Sequence, residues 1–206
     1  APIFPDPDFG RIQEGAFRQA AADLGLNARA VYTFASETDA RGVVQQLAPL
    51  LQQGQIDTLF IPDRATAPSF GVLLEEAAVP TGTVQIIGSA DWNGDANIAA
   101  TPYLAGAIYP AVDDAGYQAL LPEYQAKFGS APHALATIAY TATILANNSS
   151  LSLGTPRYDR TQLTLPGGFN GRDGVFRFLS DGRSEYALVV KQVTLGGAVI
   201  VDGPKL

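Results

Sequence analysis

Apolar positions along the first half of the chain alternate between two rhythms. Ile12, Ala16, Phe17, Ala20, Ala21 and Leu24 recur at helical spacing. Asp8 is suited to cap this helix and Gly25 to stop it. A short β-type run follows at residues 30–34. Val43, Val44, Leu47, Leu50 and Leu51 then define a second helical face. Ser36, Thr38 or Asp39 could cap that helix, and Pro49 should kink it. Gly54 ends it. The stretch DTLFIPDR, residues 57–64, is a compact apolar run closed by Pro62 and two charges. β-branched and aromatic residues suit a buried strand, and Pro62 cannot donate to a ladder, so the strand should end there.

The plan then repeats. Phe70, Leu73, Leu74 and Ala77 predict a helix over residues 68–78, broken by Pro80 and Gly82. A strand over 84–87 runs into the loop GSADWNGD, and a further strand over 105–109 follows an irregular loop. Strand and helix alternating at short intervals predict a parallel sheet covered by helices, with right-handed crossovers. The rhythm changes near Pro110. Two helices come in succession, over residues 114–128 and 134–147, separated by residues 129–132. Residues 147–156 read as a polar loop, and a helical turn is expected near 159–163. The end is β-type: residues 175–178 alternate, Ser180-Asp181-Gly182 suits a hairpin turn, and strands are expected over 186–193 and 198–201. The fold class is therefore α/β, with an α/β lobe over 1–110. Residues 111–206 add a helix pair and C-terminal antiparallel strands.

Composition narrows the function classes. The chain has 206 residues, 47% of them hydrophobic and 16% charged, enough for a substantial core. A net charge of −7 without a basic stripe argues against nucleic acid and against an anionic membrane surface. There is no cysteine, so neither a disulfide nor thiolate chemistry is available. The single histidine, His133, follows Pro132 and suits a surface or capping role better than a base. No apolar run approaches a membrane span. The opening Ala1-Pro2-Ile3-Phe4 resembles a strand end, and the chain contains no methionine. Both features suggest a fragment of a longer protein.

In open parallel sheets, ligands sit outside the carboxyl ends of the strands. Asp6, Asp8, Asp63, Asp91 and Asp95 all fall in loops after predicted strands, as does Arg64. Paired carboxylates could serve a hydrolase, but loop acids more often cap helices or form Asx-turns. Trp92 lies in a polar, Gly-rich loop, where a ring either contacts a ligand or anchors the loop. GGFNGRDG, residues 167–174, precedes a hairpin, whereas a phosphate loop needs a strand before and a helix after. Its glycines read as tight turns. The glycosylation triplet in Asn147-Asn148-Ser149-Ser150 is a common coincidence.

Five features occur in order along nearly the whole chain: PDPDFG before a helix, the strand DTLFIPD, the loop IIGSADW, a helix pair around YQAKFGSAP and IAYTATILA, and the ending FNGRDGVFRFLSDGRSE. Together they resemble the type I periplasmic binding protein superfamily. Two branches come nearest: the leucine/isoleucine/valine-binding proteins and the penicillin-binding protein activators. The resemblance implies two α/β lobes joined by three crossings, with a small ligand held between them. It implies that this chain is the second lobe plus the returning helices of the first, whose N-terminal half is absent. Helices 114–128 and 134–147 should then show an apolar face, through which the chain could dimerise.

The amino-acid binders place Tyr-Gly where this chain has Phe9-Gly10, and a carboxylate near Asp91 for the ligand's amino group. Phe9 keeps the ring and loses the hydroxyl, which shifts weight toward the activators. The serine and threonine that hold the ligand carboxylate belong to the absent part, so free leucine, isoleucine or valine should not bind measurably. With the residues of the loops after the predicted strands, the candidate ligand-binding set is Asp6, Phe9, Asp63, Arg64, Ser89, Asp91 and Trp92, with no catalytic residue, metal or cofactor. The implied role is non-enzymatic solute binding for a transporter, in the periplasm of a Gram-negative bacterium. The alternative partner is a peptidoglycan synthase, and the parent of such an activator would be lipid-anchored.

Overall fold

The computed structural model describes residues 1–6, 8–26, 30–133 and 135–205, with the side chains of Asp8 and Phe9 outside that description. The chain divides into two compact units: residues 1–111 with 190–201, and residues 112–189 with 202–206.

The first unit begins with β1 (Ile3–Pro5), α1 (Asp8–Asp23), β2 (Tyr32–Phe34), α2 (Glu37–Gln52), β3 (Thr58–Phe60), α3 (Ala67–Glu76) and β4 (Gln85–Ile87). Ser36 settles the start of α2, its side chain accepting from the Asp39 amide at 3.2 Å. The helix runs on through Pro49 to Gln52. Beyond β4 the expected irregular loop is instead ordered. A 3-10 turn over Ala90–Trp92, α4 (Ala96–Ala100) and a second 3-10 turn over Pro102–Leu104 lead to β5 (Ile108–Ala111). Asp95 starts α4 by accepting from the amides of Asn97 and Ile98. A five-residue helix made by one cap is too short to show a period.

β1 and β2 pair in parallel, Phe4 opposite Thr33, and β3, β4 and β5 likewise, with Leu59 opposite Ile86 and Ile87 opposite Ile108. A parallel bridge from Pro2 to Phe60 links the two sets. The five-stranded sheet runs β10-β9-β5-β4-β3, its last members being β9 (Leu188–Thr194) and β10 (Gly197–Lys205). All the parallel strands therefore end on one edge.

Side chains alternate across the strands. Leu59, Ile86 and Tyr109 of the sheet are buried, as are Leu47, Leu51, Phe70 and Leu74 of α2 and α3. Full burial of each such side chain is worth about 1.5–3 kcal/mol. α1 behaves differently from its periodicity. Phe17 stacks on Phe60 with centroids 5.5 Å apart, but Ile12 and Leu24 are 71% and 73% exposed.

Tyr103 is buried in the second 3-10 turn and donates its hydroxyl to the Val79 carbonyl at 3.0 Å. Burial, helped by Glu75, pushes its phenol pKa above the ordinary value of 10. The folded state thus favours the neutral phenol, and that contribution is complete below pH 10. It is lost as the pH rises from there toward the higher folded value. Stability should therefore fall above about pH 10, and Tyr103→Phe should flatten the decline. Thermal melts from neutral to alkaline pH check this; an identical slope in Tyr103→Phe would exclude the phenol as a contributor.

The second unit holds α5 (Ala115–Phe128), α6 (Ala136–Ala146), α7 (Ser149–Ser152) and α8 (Arg160–Leu163). They are followed by a three-stranded antiparallel sheet of β6 (Phe169–Gly171), β7 (Gly174–Phe178) and β8 (Ser184–Tyr186). Within GGFNGRDG, Gly168 and Gly174 take the positive φ of tight turns, at 61° and 94°, whereas Gly171 is a strand residue of β6. The 147–156 stretch, expected as loop, contains α7. Asn148 caps it, Oδ1 accepting from the Ser150 amide and hydroxyl. His133 accepts from the Leu135 amide through Nδ1. Residues 186–193 are not one strand: Ala187 separates β8 from β9. Phe169, Phe176, Phe178 and Tyr186 form an aromatic cluster. α5 buries no side chain and α6 only Thr137, while Phe128, Leu135, Ile138 and Ile144 remain exposed.

Candidate functional site

Parallel pairing places the loops after β1, β3 and β4 on the same edge of the first unit. The chain leaves β1 toward β2 on one side and returns to β3 on the other, so the strand order reverses between β1 and β3. Outside the carboxyl ends of such a reversal point, an open α/β sheet leaves a crevice. Asp6 follows β1 there, and Asp63 and Arg64 follow β3.

Asp63 is committed to structure. Its Oδ2 accepts from the Thr66 amide at 3.0 Å and the Thr66 hydroxyl at 2.6 Å, fixing the start of α3. Ser89 ties two loops together. Its hydroxyl donates to the Pro62 carbonyl at 2.7 Å and accepts from the Asp91 amide at 3.2 Å. That link brings Arg64 and Asp91 within 3.7 Å, their side chains 57% and 39% exposed. Asp6 lies 3.7 Å from Arg11. Phe9 falls on α1, and its side chain lies outside the described residues.

Trp92 does not present a ring to solvent. It is 1% exposed, 6.1 Å from the Tyr109 ring, and so close to Gly88 that a Cβ there would stand 2.3 Å from Cδ2. Its role is to anchor the loop that carries Ser89 and Asp91. The backbone restricts that role to a flat ring over a glycine, a pairing that GSADW shows in sequence only as Gly88 four residues before Trp92.

Two features escaped sequence reasoning. Lys191 on β9 is buried, and its Nζ donates to Asn93 Oδ1 at 3.0 Å, clamping the same loop from 98 positions away. No local pattern signals a contact of that span. A hollow of about 390 Å³ also opens beside the starts of α2 and α3, lined by Phe34, Ser36, Glu37, Arg41, Thr66 and Phe70. Arg41 is bound there by Glu76 at 2.7 Å and by Glu37 at 3.4 Å, which raises its pKa. Its charge is thus already answered. The helix starts at Ser36 and Thr66 were the available signal for this hollow.

Among the described residues, no cluster of three or more His, Asp or Glu side chains could hold a metal ion. None of the described helices is long and apolar enough to cross a membrane.

The fold is that of the type I periplasmic binding proteins. Solved structures similar to the chain include an ABC transporter solute-binding protein from R. palustris in complex with benzoate. It is 15% identical, with a TM-score of 0.62, over 100% of this chain and 58% of that one. A leucine-binding protein from Thermotoga maritima matches at 15% identity and TM-score 0.61, over 99% and 60%. A leucine-, isoleucine-, valine-, threonine- and alanine-binding protein from Brucella ovis, in a closed conformation, matches at 14% and 0.65, over 100% and 56%. The chain thus spans less than two thirds of the length of these structures. No family model matches the sequence, and no curated protein matches it.

Proposed function

We propose that this chain is the solute-binding part of a non-catalytic, extracytoplasmic binding protein serving an ABC transporter, with the ligand at the carboxyl edge of β1, β3 and β4. The carrying observation is the Arg64–Asp91 pair, held at that edge on a fold shared with binders of leucine and benzoate. A half-exposed pair at 3.7 Å is worth about 0–1 kcal/mol. Either partner can therefore exchange the other for a ligand group at little cost. Arg64 suits a carboxylate and Asp91 an ammonium group, so the pair fits an amino acid and Arg64 alone a simple carboxylate. Asp6, Asp63 and Ser89 frame the edge, and buried Trp92 anchors the loop that carries Ser89 and Asp91. The edge carboxylates argue against hydrolysis: Asp6, Asp63 and Asp91 each face a cation or a helix start rather than one another.

NMR titration of the 206-residue chain with leucine, isoleucine and benzoate tests the reading. Shifts should concentrate at residues 63–64 and 89–91 and saturate only at millimolar concentration; this weak binding replaces the expectation from sequence of no measurable binding, because Arg64 and Asp91 stand close enough to hold both charged groups of an amino acid. Arg64→Ala and Asp91→Ala should each weaken leucine binding by roughly tenfold or more, the worth of a charge-assisted hydrogen bond. Shifts confined to other residues, or affinities indifferent to both substitutions, would overturn it.

A second reading rests on Phe9, which lacks the hydroxyl of the amino-acid binders it resembles: a penicillin-binding protein activator that stimulates peptidoglycan synthesis. Under it, none of the three solutes perturbs the edge, and the full-length protein stimulates a peptidoglycan synthase whether or not Asp91 is replaced.

A further inference from the structure

β10 ends the five-stranded sheet and, among the described residues, is bonded to β9 alone. It is nine residues long, and eight of the nine are exposed. Ala198-Val199-Ile200-Val201 form an unbroken apolar run, with Val199, Ile200 and Val201 each about half exposed, at 49%, 51% and 50%. Successive strand side chains point to opposite faces, so both faces of this edge are apolar. Natural edges are usually blunted by a charge, a proline or a bulge. Residues 198–201 carry neither charge nor proline; β10 holds these only at its far end, in Asp202, Pro204 and Lys205. The nearest charges cancel each other: Lys205 Nζ meets Asp202 Oδ2 at 2.7 Å, with both side chains largely exposed.

An open row of backbone donors and acceptors selects an extended strand as its occupant. Apolar side chains on both faces further select a strand that is apolar at successive positions. The chain's own β10 meets both conditions. We propose that β10 is a self-association edge, onto which a second copy adds its β10 antiparallel across a two-fold axis. An axis near Ile200 sets the apolar runs against each other and makes every contact reciprocal. Because each Asp202 is neutralised within its own strand, the edges carry no local repulsion. The net charge of −7 opposes approach only at longer range. Salt screens that repulsion beyond about 8 Å at physiological strength, so association should tighten with added salt.

Sedimentation velocity on the 206-residue chain, from micromolar to near-millimolar concentration, tests this. A monomer–dimer equilibrium is expected. Val199→Lys, Ile200→Lys and Val201→Lys should each raise the dimer dissociation constant about tenfold or more. Ile144→Lys, on the exposed face of α6, should leave it unchanged. Amide exchange at residues 198–201 should slow as the wild-type concentration rises; this arm needs no variant and stands if a lysine substitution fails to fold. A chain that stays monomeric throughout would overturn the proposal. So would a dimer indifferent to the β10 lysines, or one removed by Ile144→Lys.

Discussion

Trp92→Ala is expected to destabilise the chain by about 3–5 kcal/mol, the cost of emptying a large buried aromatic site. The indole is among the largest fully buried side chains and lies flat on Gly88, with Tyr109 alongside. Removing it leaves a void beneath the turn of residues 89–92, and water cannot fill an apolar void favourably. The Ser89–Pro62 link should loosen with it, releasing Asp91 from Arg64. The size of the loss is tempered by one feature. The Trp92 Nε1 is buried without a hydrogen-bond partner among the described residues, and such a donor costs about 1–3 kcal/mol. Trp92→Phe removes that penalty along with some packing, so it should destabilise less than half as much as Trp92→Ala. Denaturant titrations followed by circular dichroism give both values. A loss below about 1 kcal/mol for Trp92→Ala would mean that the ring is not the support of this loop.

Gly10→Ala should be nearly as damaging, at about 3 kcal/mol. A Cβ at this position would stand 1.5 Å from the Pro5 carbonyl oxygen and 2.7 Å from its carbon. Both are backbone atoms of the β1 end, so α1 would have to lift away from the strand. Gly15 is its control on the same helix. A Cβ there meets nothing within 4 Å, and the residue is exposed. Gly15→Ala should therefore stabilise by about 0.5–1 kcal/mol, through helix propensity and a less flexible unfolded chain. Substitutions five residues apart in one helix are thus expected to have opposite signs. Equal effects would show that α1 does not rest on the end of β1.

The alternation of β1 to β5 with α1 to α3 was legible because each strand is a short apolar run closed by glycine, proline or a polar cluster. The edge position of Asp6, Arg64 and Asp91 followed from it, since parallel strands send their ends one way. Elements set by a single side chain were not legible. Asp95 makes α4 and Asn148 makes α7, and neither leaves a periodic trace. Periodicity also misplaced the face of α1. Ile12 and Leu24 belong to its apolar stripe and remain exposed, while Phe17 carries the contact with Phe60. At the candidate site, residue types were readable and pairings were not. Ser89 bridging to Pro62 and Lys191 reaching Asn93 depend on separations that only folding closes. The burial of Trp92 likewise depends on Gly88 having no side chain.

A crystal structure of the chain grown with a high concentration of leucine would bear most directly on the assignment of the sheet edge as a solute site. One ordered molecule is expected beside the loops after β3 and β4, its carboxylate within hydrogen-bonding distance of Arg64 and its ammonium group of Asp91. The two side chains should have parted from each other to receive it. An edge still closed by the Arg64–Asp91 pair, with leucine ordered elsewhere on the molecule or nowhere, would contradict it.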